Sequence, residues 1–238
     1  MNPEPAAPSP SSLARHRQNW QRKVRRCITK VRQGSEDWCE AQSEGLRAAN
    51  RLANDLVLLK AFLLQSQSAV GGLEKSGGGE LSGLRDAAVE KLRRRARIEA
   101  REVERAHEKL GQCLEVLTAG ARDLKVGDTL APLDEAAVRR LRAEQSVYWT
   151  LTPNSYLKKV EGVVRCYEKE YEAKTTVLSF LIDTVDALQS ENIVPNDDLE
   201  DKLKVQLVAW MLEPELDLVS LQDLEDTFAL EKGLRKQY

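Results

Sequence analysis

Apolar residues recur at steps of three, four and seven along the first quarter of this chain, and this repeat constrains the fold more than any other feature. The repeat runs from about residue 13 to residue 67. Its average spacing of about 3.5 residues is that of a long helix packed along one stripe. Its members are Val24, Ile28, Val31, Trp38, Ala49, Leu52, Leu56, Leu59 and Leu63. The pattern predicts one long amphipathic helix over 13–67.

The same stripe contains Gly45, although glycine inside a helix costs about 1 kcal/mol relative to alanine. A small residue there, followed one turn later by Ala49, allows another helix to approach closely beside the bulky Trp38. We therefore predict a close helix crossing at Gly45. The alternative is a local bend of the helix at the same residue.

A second apolar stripe follows a segment rich in glycine and serine, residues 65–83, which is typical of a flexible linker. This stripe runs from about residue 84 to residue 124. Two long helices joined by one linker predict an antiparallel helical hairpin or coiled coil over 13–124. Residues 1–12, which carry four prolines, are predicted to be a disordered tail.

The remainder of the chain, residues 125–238, is predicted to be a C-terminal helical region. Its predicted helices lie at about 132–147, 155–189 and 197–212, with a last helix from 220 onward. Asn154 or Ser155 is predicted to cap the second of these, and the sequence SLQD at 220–223 to cap the last. The expected fold class is all-α, with a long antiparallel helical hairpin or coiled coil packed with a C-terminal helical bundle.

Charge is distributed unevenly along the chain. Residues 5–35 contain no acidic residue and eight basic ones, whereas from Asp183 onward there are 14 acidic and 5 basic residues. Either the basic N-terminal segment or the acidic C-terminal segment is able to bind an oppositely charged partner, or the two segments neutralise each other. Four separated cysteines without a C-x-x-C pair indicate reduced thiols in an intracellular protein. The apolar run at 56–64 is too short for a membrane span.

Residues suited to catalysis or metal binding are few. His16 and His107 are the only histidines, so neither a zinc site with several His ligands nor a Ser-His-Asp triad is predicted. The glycines at 71–79 lack the Lys-Ser/Thr of a phosphate-binding loop and are interpreted as linker. The basic run at 91–97 has no interleaved aromatic residue, which favours a solvated helix face. We expect no catalytic residue, no cofactor and no metal.

The order and spacing of several residues resemble the cyclin-dependent kinase two-interacting protein (CINP) family. The residues that carry the resemblance are Trp38, Gly45, Ala49-Asn50, Leu52-Ala53-Asn54, Tyr167-x-Lys169-Glu170, Lys174, Thr176-Val177, Trp210-x-x-x-Pro214, Leu224-Glu225 and Glu231-x-Gly233-x-Arg235. They extend over most of the chain after residue 37, with no contribution from the linker around Gly77 or from 125–148.

The resemblance implies a non-catalytic adaptor subunit of an AAA+ ATPase assembly. The implied roles are replisome protein turnover, genome stability and large ribosomal subunit maturation, with links to the cell cycle and checkpoint signalling at DNA replication. The implied partners are AAA+ ATPase subunits of the spermatogenesis-associated protein five type, the ribosome maturation factor AIRIM, cyclin-dependent kinase two, Cdc seven kinase and the ATR-interacting protein. The resemblance also implies a location in the nucleus, allows a cytoplasmic pool, and implies DNA contact only through the complex.

Three alternatives remain open at this point. Residues 155–189 have a general likeness to AIRIM itself, so an AIRIM-type companion subunit of the same assembly is one of them. The basic residues at 15–32 and 91–105 suggest a nucleic-acid binder. The heptad repeats also fit a coiled-coil structural protein that only self-associates.

We predict six partner-binding residues: Trp38, Gly45, Asn50, Asn54, Trp210 and Pro214. Trp38 and Gly45 would build the internal crossing. Asn50 and Asn54 lie one turn apart on the opposite side of the helix from Gly45, and with the Trp210–Pro214 corner they would face a companion subunit. The alternative is that the two asparagines are simply exposed to solvent.

Overall fold

The computed structural model describes residues 10–69, 79–125, 146–148, 150–190 and 198–234, which contain helices and no strand. In chain order the helices are α1 (Pro10–Ala69), α2 (Gly79–Lys125), α3 (Pro153–Gln189), α4 (Leu199–Leu212) and α5 (Leu218–Leu234). The prediction of an all-α fold with long packed helices is confirmed.

Both long helices extend further than their apolar stripes predict. Helix α1 includes residues 10–12 of the predicted tail, and α1 and α2 take residues 65–69 and 79–83 from the predicted linker. The middle of the linker, 70–78, lies outside the described residues. The predicted helix at 132–147 also lies outside them, except for its last two residues, which are not helical.

The caps of α3 and α5 differ from those predicted. At α3 the hydroxyl of Thr152 accepts a hydrogen bond from the Ser155 N–H at 3.2 Å, so Thr152 is the cap rather than Asn154 or Ser155. Pro153 then occupies the first helical position, where its missing N–H costs no hydrogen bond. Helix α5 begins before the predicted SLQD box, because Asp217 accepts from the N–H groups of Val219 and Ser220 at 3.1 and 3.2 Å.

The chain divides into two compact units, and both draw on residues from either side of the predicted boundary at 124–125. Unit 1 comprises the described parts of Met1–Glu36, Cys113–Glu168 and Glu215–Tyr238. Its buried apolar residues include Val24, Ile28 and Val31 on α1, Leu117 and Leu124 on α2, Tyr156 and Val160 on α3, and Leu224 on α5.

The segment before α3 is fixed to α1 within unit 1. Gln21 donates to the carbonyl of Val147 at 2.9 Å, and Arg17 donates to the same carbonyl at 3.1 Å. The buried carboxylate of Glu231 accepts from the Thr150 N–H at 3.0 Å. These bonds supply partners for backbone groups that no helix satisfies.

Unit 2 comprises the described parts of Asp37–Gln112 and Lys169–Pro214. Within it α1 and α2 run antiparallel, as later residues of α1 pair with earlier residues of α2. The ion pairs that show this direction are Glu44–Lys109 at 2.5 Å, Arg51–Glu99 at 2.8 Å and Asp55–Arg95 at 2.9 Å. Its buried apolar residues include Leu52, Leu56 and Leu59 on α1, Val103 and Leu110 on α2, Val177, Leu181 and Leu188 on α3, and Leu203 and Trp210 on α4.

Candidate functional site

Gly45 forms a notch on α1 that holds the indole of Trp210. A Cβ atom built on Gly45 would lie 2.5 Å from Cζ2 of Trp210 and 3.1 Å from Cβ of Ala106 on α2. Helix α1 continues through Gly45, so the sequence places a glycine there for space. The close approach predicted at this residue therefore involves a side chain from α4 as well as helix α2.

The C-terminal end of α4 is held by donors from two other helices. The carbonyl of Trp210 accepts from Gln42 Nε2 at 2.6 Å and from Lys174 Nζ at 2.9 Å. In return, Trp210 Nε1 donates to the carbonyl of Gln42 at 3.4 Å. Carbonyls in the last turn of a helix have no partner within the helix, so these bonds satisfy a group that would otherwise be buried without one.

Lys174 is the centre of a buried polar cluster in unit 2. Its Nζ lies 3.0 Å from a carboxylate oxygen of Glu170, 3.8 Å from one of Glu213 and 5.1 Å from the centroid of the Trp210 ring. The Lys174 side chain is 1% exposed and that of Glu170 is 0% exposed. Buried charges of this kind are tolerated because they are paired and hydrogen-bonded.

Glu213 connects this cluster to α1. Trp38 Nε1 donates to Glu213 Oε1 at 2.8 Å, and the indole of Trp38 is buried. Glu213 follows the last residue of α4 with φ 46° and ψ 57°, and it is the one non-glycine residue with positive φ among those described. This left-handed conformation costs roughly 1–2 kcal/mol for a residue with a Cβ. The hydrogen bond from Trp38 and the ammonium of Lys174 offset that cost.

The protonation equilibria of the cluster reflect burial opposed by pairing. Burial lowers the pKa of Lys174, and the neighbouring Glu170 and Glu213 carboxylates partly reverse the effect. Burial raises the pKa of Glu213, while the Trp38 hydrogen bond and Lys174 act in the opposite direction. A lysine with a lowered pKa is able to act as a nucleophile when a substrate reaches it. Here the ammonium is enclosed by protein groups, so the geometry is that of a brace for the α4 corner.

The six predicted partner-binding residues separate into two groups. Trp38, Gly45 and Trp210 lie in the interior of unit 2, where they pack against its own helices. The indoles of Trp38 and Trp210 are therefore enclosed within unit 2, and partner contact through the Trp210–Pro214 corner stays a prediction. Asn50, Asn54 and Pro214 are exposed. Asn50 Nδ2 donates to the carbonyl of Leu46 on its own helix at 3.0 Å, and partner contact through these three residues stays a prediction.

Helix α4 also exposes an apolar face that the sequence analysis missed. Leu199, Leu203 and Trp210 face inward, whereas Val205, Val208, Met211 and Leu212 are exposed by 63, 46, 51 and 64%. A helix that is apolar on both faces is normally buried on both faces. The signal in the sequence is the run VQLVAWML at 205–212, which lacks charge and fits no single stripe.

Metal-binding clusters and membrane-spanning helices are absent from the described residues. Within the described ranges, no three His, Cys, Asp or Glu side chains are grouped so as to hold a metal ion. The described part of the chain also contains no helix long and apolar enough to cross a bilayer. His107 stacks on Tyr171 with 4.4 Å between ring centroids, and its Nε2 lies 2.9 Å from the hydroxyl of Thr175.

No family model, no curated protein and no solved structure matches this chain.

Proposed function

We propose that this chain is a non-catalytic adaptor subunit of an AAA+ ATPase assembly. The proposed roles are replisome protein turnover, genome stability and large ribosomal subunit maturation, in the nucleus with a cytoplasmic pool. The resemblance to the CINP family supplies this assignment and the identity of the partners. In the proposal those partners are the ATPases of the spermatogenesis-associated protein five type, AIRIM, the two cell-cycle kinases and the ATR-interacting protein.

The outer face of α4 is the observation that carries an adaptor role. Its exposed valines and leucine, Val205, Val208 and Leu212, follow one another at steps of three and four, so they form one stripe. Each fully buried aliphatic side chain contributes about 1.5–3 kcal/mol, so covering this stripe with a partner would supply an anchor of several kcal/mol. The Lys174 cluster supports the same role because it holds the C-terminal end of α4 in place before a partner binds.

Reconstitution tests the proposal. The purified chain is mixed with the two ATPases and AIRIM, and complex formation is followed by size-exclusion chromatography and by the rate of ATP hydrolysis. We expect the chain to co-elute with the ATPases, and all hydrolysis to depend on them. Val205→Glu with Val208→Glu should abolish co-elution, because two carboxylates would have to be buried in the interface.

Val219→Glu is the matched control, since Val219 is an equally apolar, 77% exposed residue on α5. It should leave co-elution unchanged. Failure of the unmodified chain to associate with these ATPases would contradict the proposed assembly. A single species that is larger than the monomer and contains this chain alone would favour the self-associating coiled coil instead.

The two exposed asparagines have a separate test. Asn50→Ala with Asn54→Ala should weaken the pull-down of at least one of the proposed partners. Unchanged capture of every partner would show that these asparagines are solvated residues of α1 without a role in binding.

A further inference from the structure

A groove of about 400 Å³ lies between α1 and α2 in unit 2. Its floor contains the methyl groups of Ala48 on α1 and Ala106 on α2. The helices come close together here because Gly45, one turn before Ala49, has no side chain to separate it from Ala106. Small residues between two closely packed helices leave a trough that longer side chains border.

Four cations border this groove, two from each helix. Arg47 and Arg51 are one turn apart on α1, and Arg105 and Lys109 are one turn apart on α2, so each helix presents a pair on one face. All four are exposed. Two carboxylates, Glu44 and Glu102, also line the groove, which leaves a formal surplus of positive charge.

The existing ion pairs occupy only part of the donor capacity. Arg51 Nε donates to Glu99 at 2.8 Å, Arg105 Nη1 to Glu102 at 2.7 Å, and Lys109 Nζ to Glu44 at 2.5 Å. Each guanidinium has five N–H donors, and Arg51 and Arg105 each use one of them in these pairs, while the ammonium of Lys109 uses one of its three. The side chain of Arg47 makes no hydrogen bond or ion pair with the described residues.

We propose that this α1–α2 groove binds a phosphoryl group carried on a protein segment, that is, a phosphoserine or phosphothreonine. A phosphate ester carries about −1.5 to −2 charges and three acceptor oxygens at pH 7, so it accepts from several guanidinium groups at once. A carboxylate from a partner carries one negative charge, and so do Glu44 and Glu102. It would therefore not displace these two carboxylates from the N–H donors of the groove. Exposed ion pairs are weak because water screens both charges, so the dianion is able to displace them.

The carboxylates in the groove favour a single dianion over a nucleic acid. A nucleic-acid backbone places a charge every few ångströms along each strand, so some phosphates would lie against Glu44 or Glu102. Among the described residues, no aromatic side chain on which a base would stack lines the groove. The alanine floor, in contrast, accommodates an uncharged peptide backbone on either side of a phosphorylated residue. This inference does not depend on the proposed ATPase assembly.

Fluorescence anisotropy with the full chain tests the proposal. The probe is a short fluorescein-labelled peptide of alanine and glycine with one central phosphoserine. The same peptide with serine, and with glutamate, in the central position serves for comparison. The phosphoserine peptide should bind, and the other two should bind at least about tenfold more weakly, since a charge-assisted hydrogen bond contributes roughly 1.5–3 kcal/mol.

Arg47→Glu should weaken phosphopeptide binding by about ten- to hundredfold, because it removes a donor and adds a like charge. Arg47 is exposed and has no described partner, so the variant should fold normally, which circular dichroism checks. Arg101→Glu is the matched control: Arg101 is an exposed arginine of α2 that does not line the groove, and its substitution should leave affinity unchanged.

Four results would overturn the proposal. The first is equal binding of the serine and phosphoserine peptides, and the second is an equal loss of affinity in Arg47→Glu and Arg101→Glu. The third is tighter binding of a single-stranded oligonucleotide that is also lost in Arg47→Glu. The fourth is displacement of the peptide by inorganic phosphate at the peptide's own affinity. The third would assign the groove to nucleic acid, and the fourth to a free anion.

Discussion

The contact between Gly45 and Trp210 predicts how one methyl group on α1 changes the stability of unit 2. In an unconstrained helix interior, replacing glycine by alanine stabilises a protein by about 1 kcal/mol. At Gly45 the new Cβ would lie 2.5 Å from Cζ2 of Trp210. Carbon atoms attract each other best at about 3.5–4.0 Å, so the indole would have to move by about 1 Å.

Trp210 has little freedom to make this movement. Its ring is fully buried, its Nε1 donates to Gln42, and its carbonyl accepts from Gln42 and Lys174. Ala106 closes the other side of the notch, with its Cβ 3.1 Å from the new Cβ. Overpacking of a tight core costs about 1–3 kcal/mol, and this geometry favours the upper value. After the gain in helix propensity, Gly45→Ala should destabilise the protein by about 2 kcal/mol.

Gly162→Ala provides the matched control in α3. A Cβ on Gly162 would meet no atom of the described residues within 4 Å, so only the propensity gain should remain. We expect this variant to be more stable by about 1 kcal/mol, which places the two Gly→Ala substitutions about 3 kcal/mol apart. The measurement is the free energy of unfolding in urea, followed by far-ultraviolet circular dichroism.

The same substitution in a Trp210→Phe variant tests whether the indole causes the loss of stability. Phenylalanine lacks the Cζ2 atom of the indole, so Gly45→Ala should cost much less in a Trp210→Phe protein than in the original one. If Gly45→Ala is as stable as the unmodified chain, or if its penalty is the same in both backgrounds, the indole does not require the notch and the reasoning is refuted.

Four further predictions concern the buried Lys174 cluster, a helix cap and the thiol of Cys27. Lys174→Met should lower the free energy of unfolding by about 3–5 kcal/mol, since it leaves the buried carboxylate of Glu170 without its cation; a loss below about 1 kcal/mol in urea unfolding would refute the bracing role of Lys174. Because burial raises the pKa of Glu213 above its ordinary 4.5, its contribution to stability is largest at low pH and is lost as pH rises through the folded pKa. The free energy of unfolding of Glu213→Gln, measured across pH, should therefore lack that decline. A pH profile identical to that of the unmodified chain would contradict the raised pKa of Glu213. Asp217→Ala should lower the free energy of unfolding through loss of the α5 cap, and by more than Ser220→Ala does; the opposite order in urea unfolding would restore the SLQD box as the cap. Burial raises the pKa of the Cys27 thiol to about 12, so iodoacetamide at neutral pH should leave Cys27 unmodified in mass spectrometry of the folded chain, and modification before unfolding would contradict its burial.

The sequence was most informative where the signal is local. The 3.5-residue repeat predicted the position of α1 to within three residues at each end, because helix formation depends on neighbours three and four positions away. The helix caps were placed less well, because several Ser, Thr, Asp and Asn residues near each helix start were equally eligible.

The long helices and their buried stripes were thus determined by the sequence alone, since periodicity is a property of neighbouring residues. The tertiary structure decided that Gly45 accommodates an indole and that Lys174 braces the α4 corner. Gln42 and Trp210 are 168 positions apart, and no local pattern indicates which distant side chain meets which. The tertiary structure also decided that Trp210 is internal while Val205 and Leu212 are exposed. A helix that is apolar on both faces turns one face inward only where other helices pack against it.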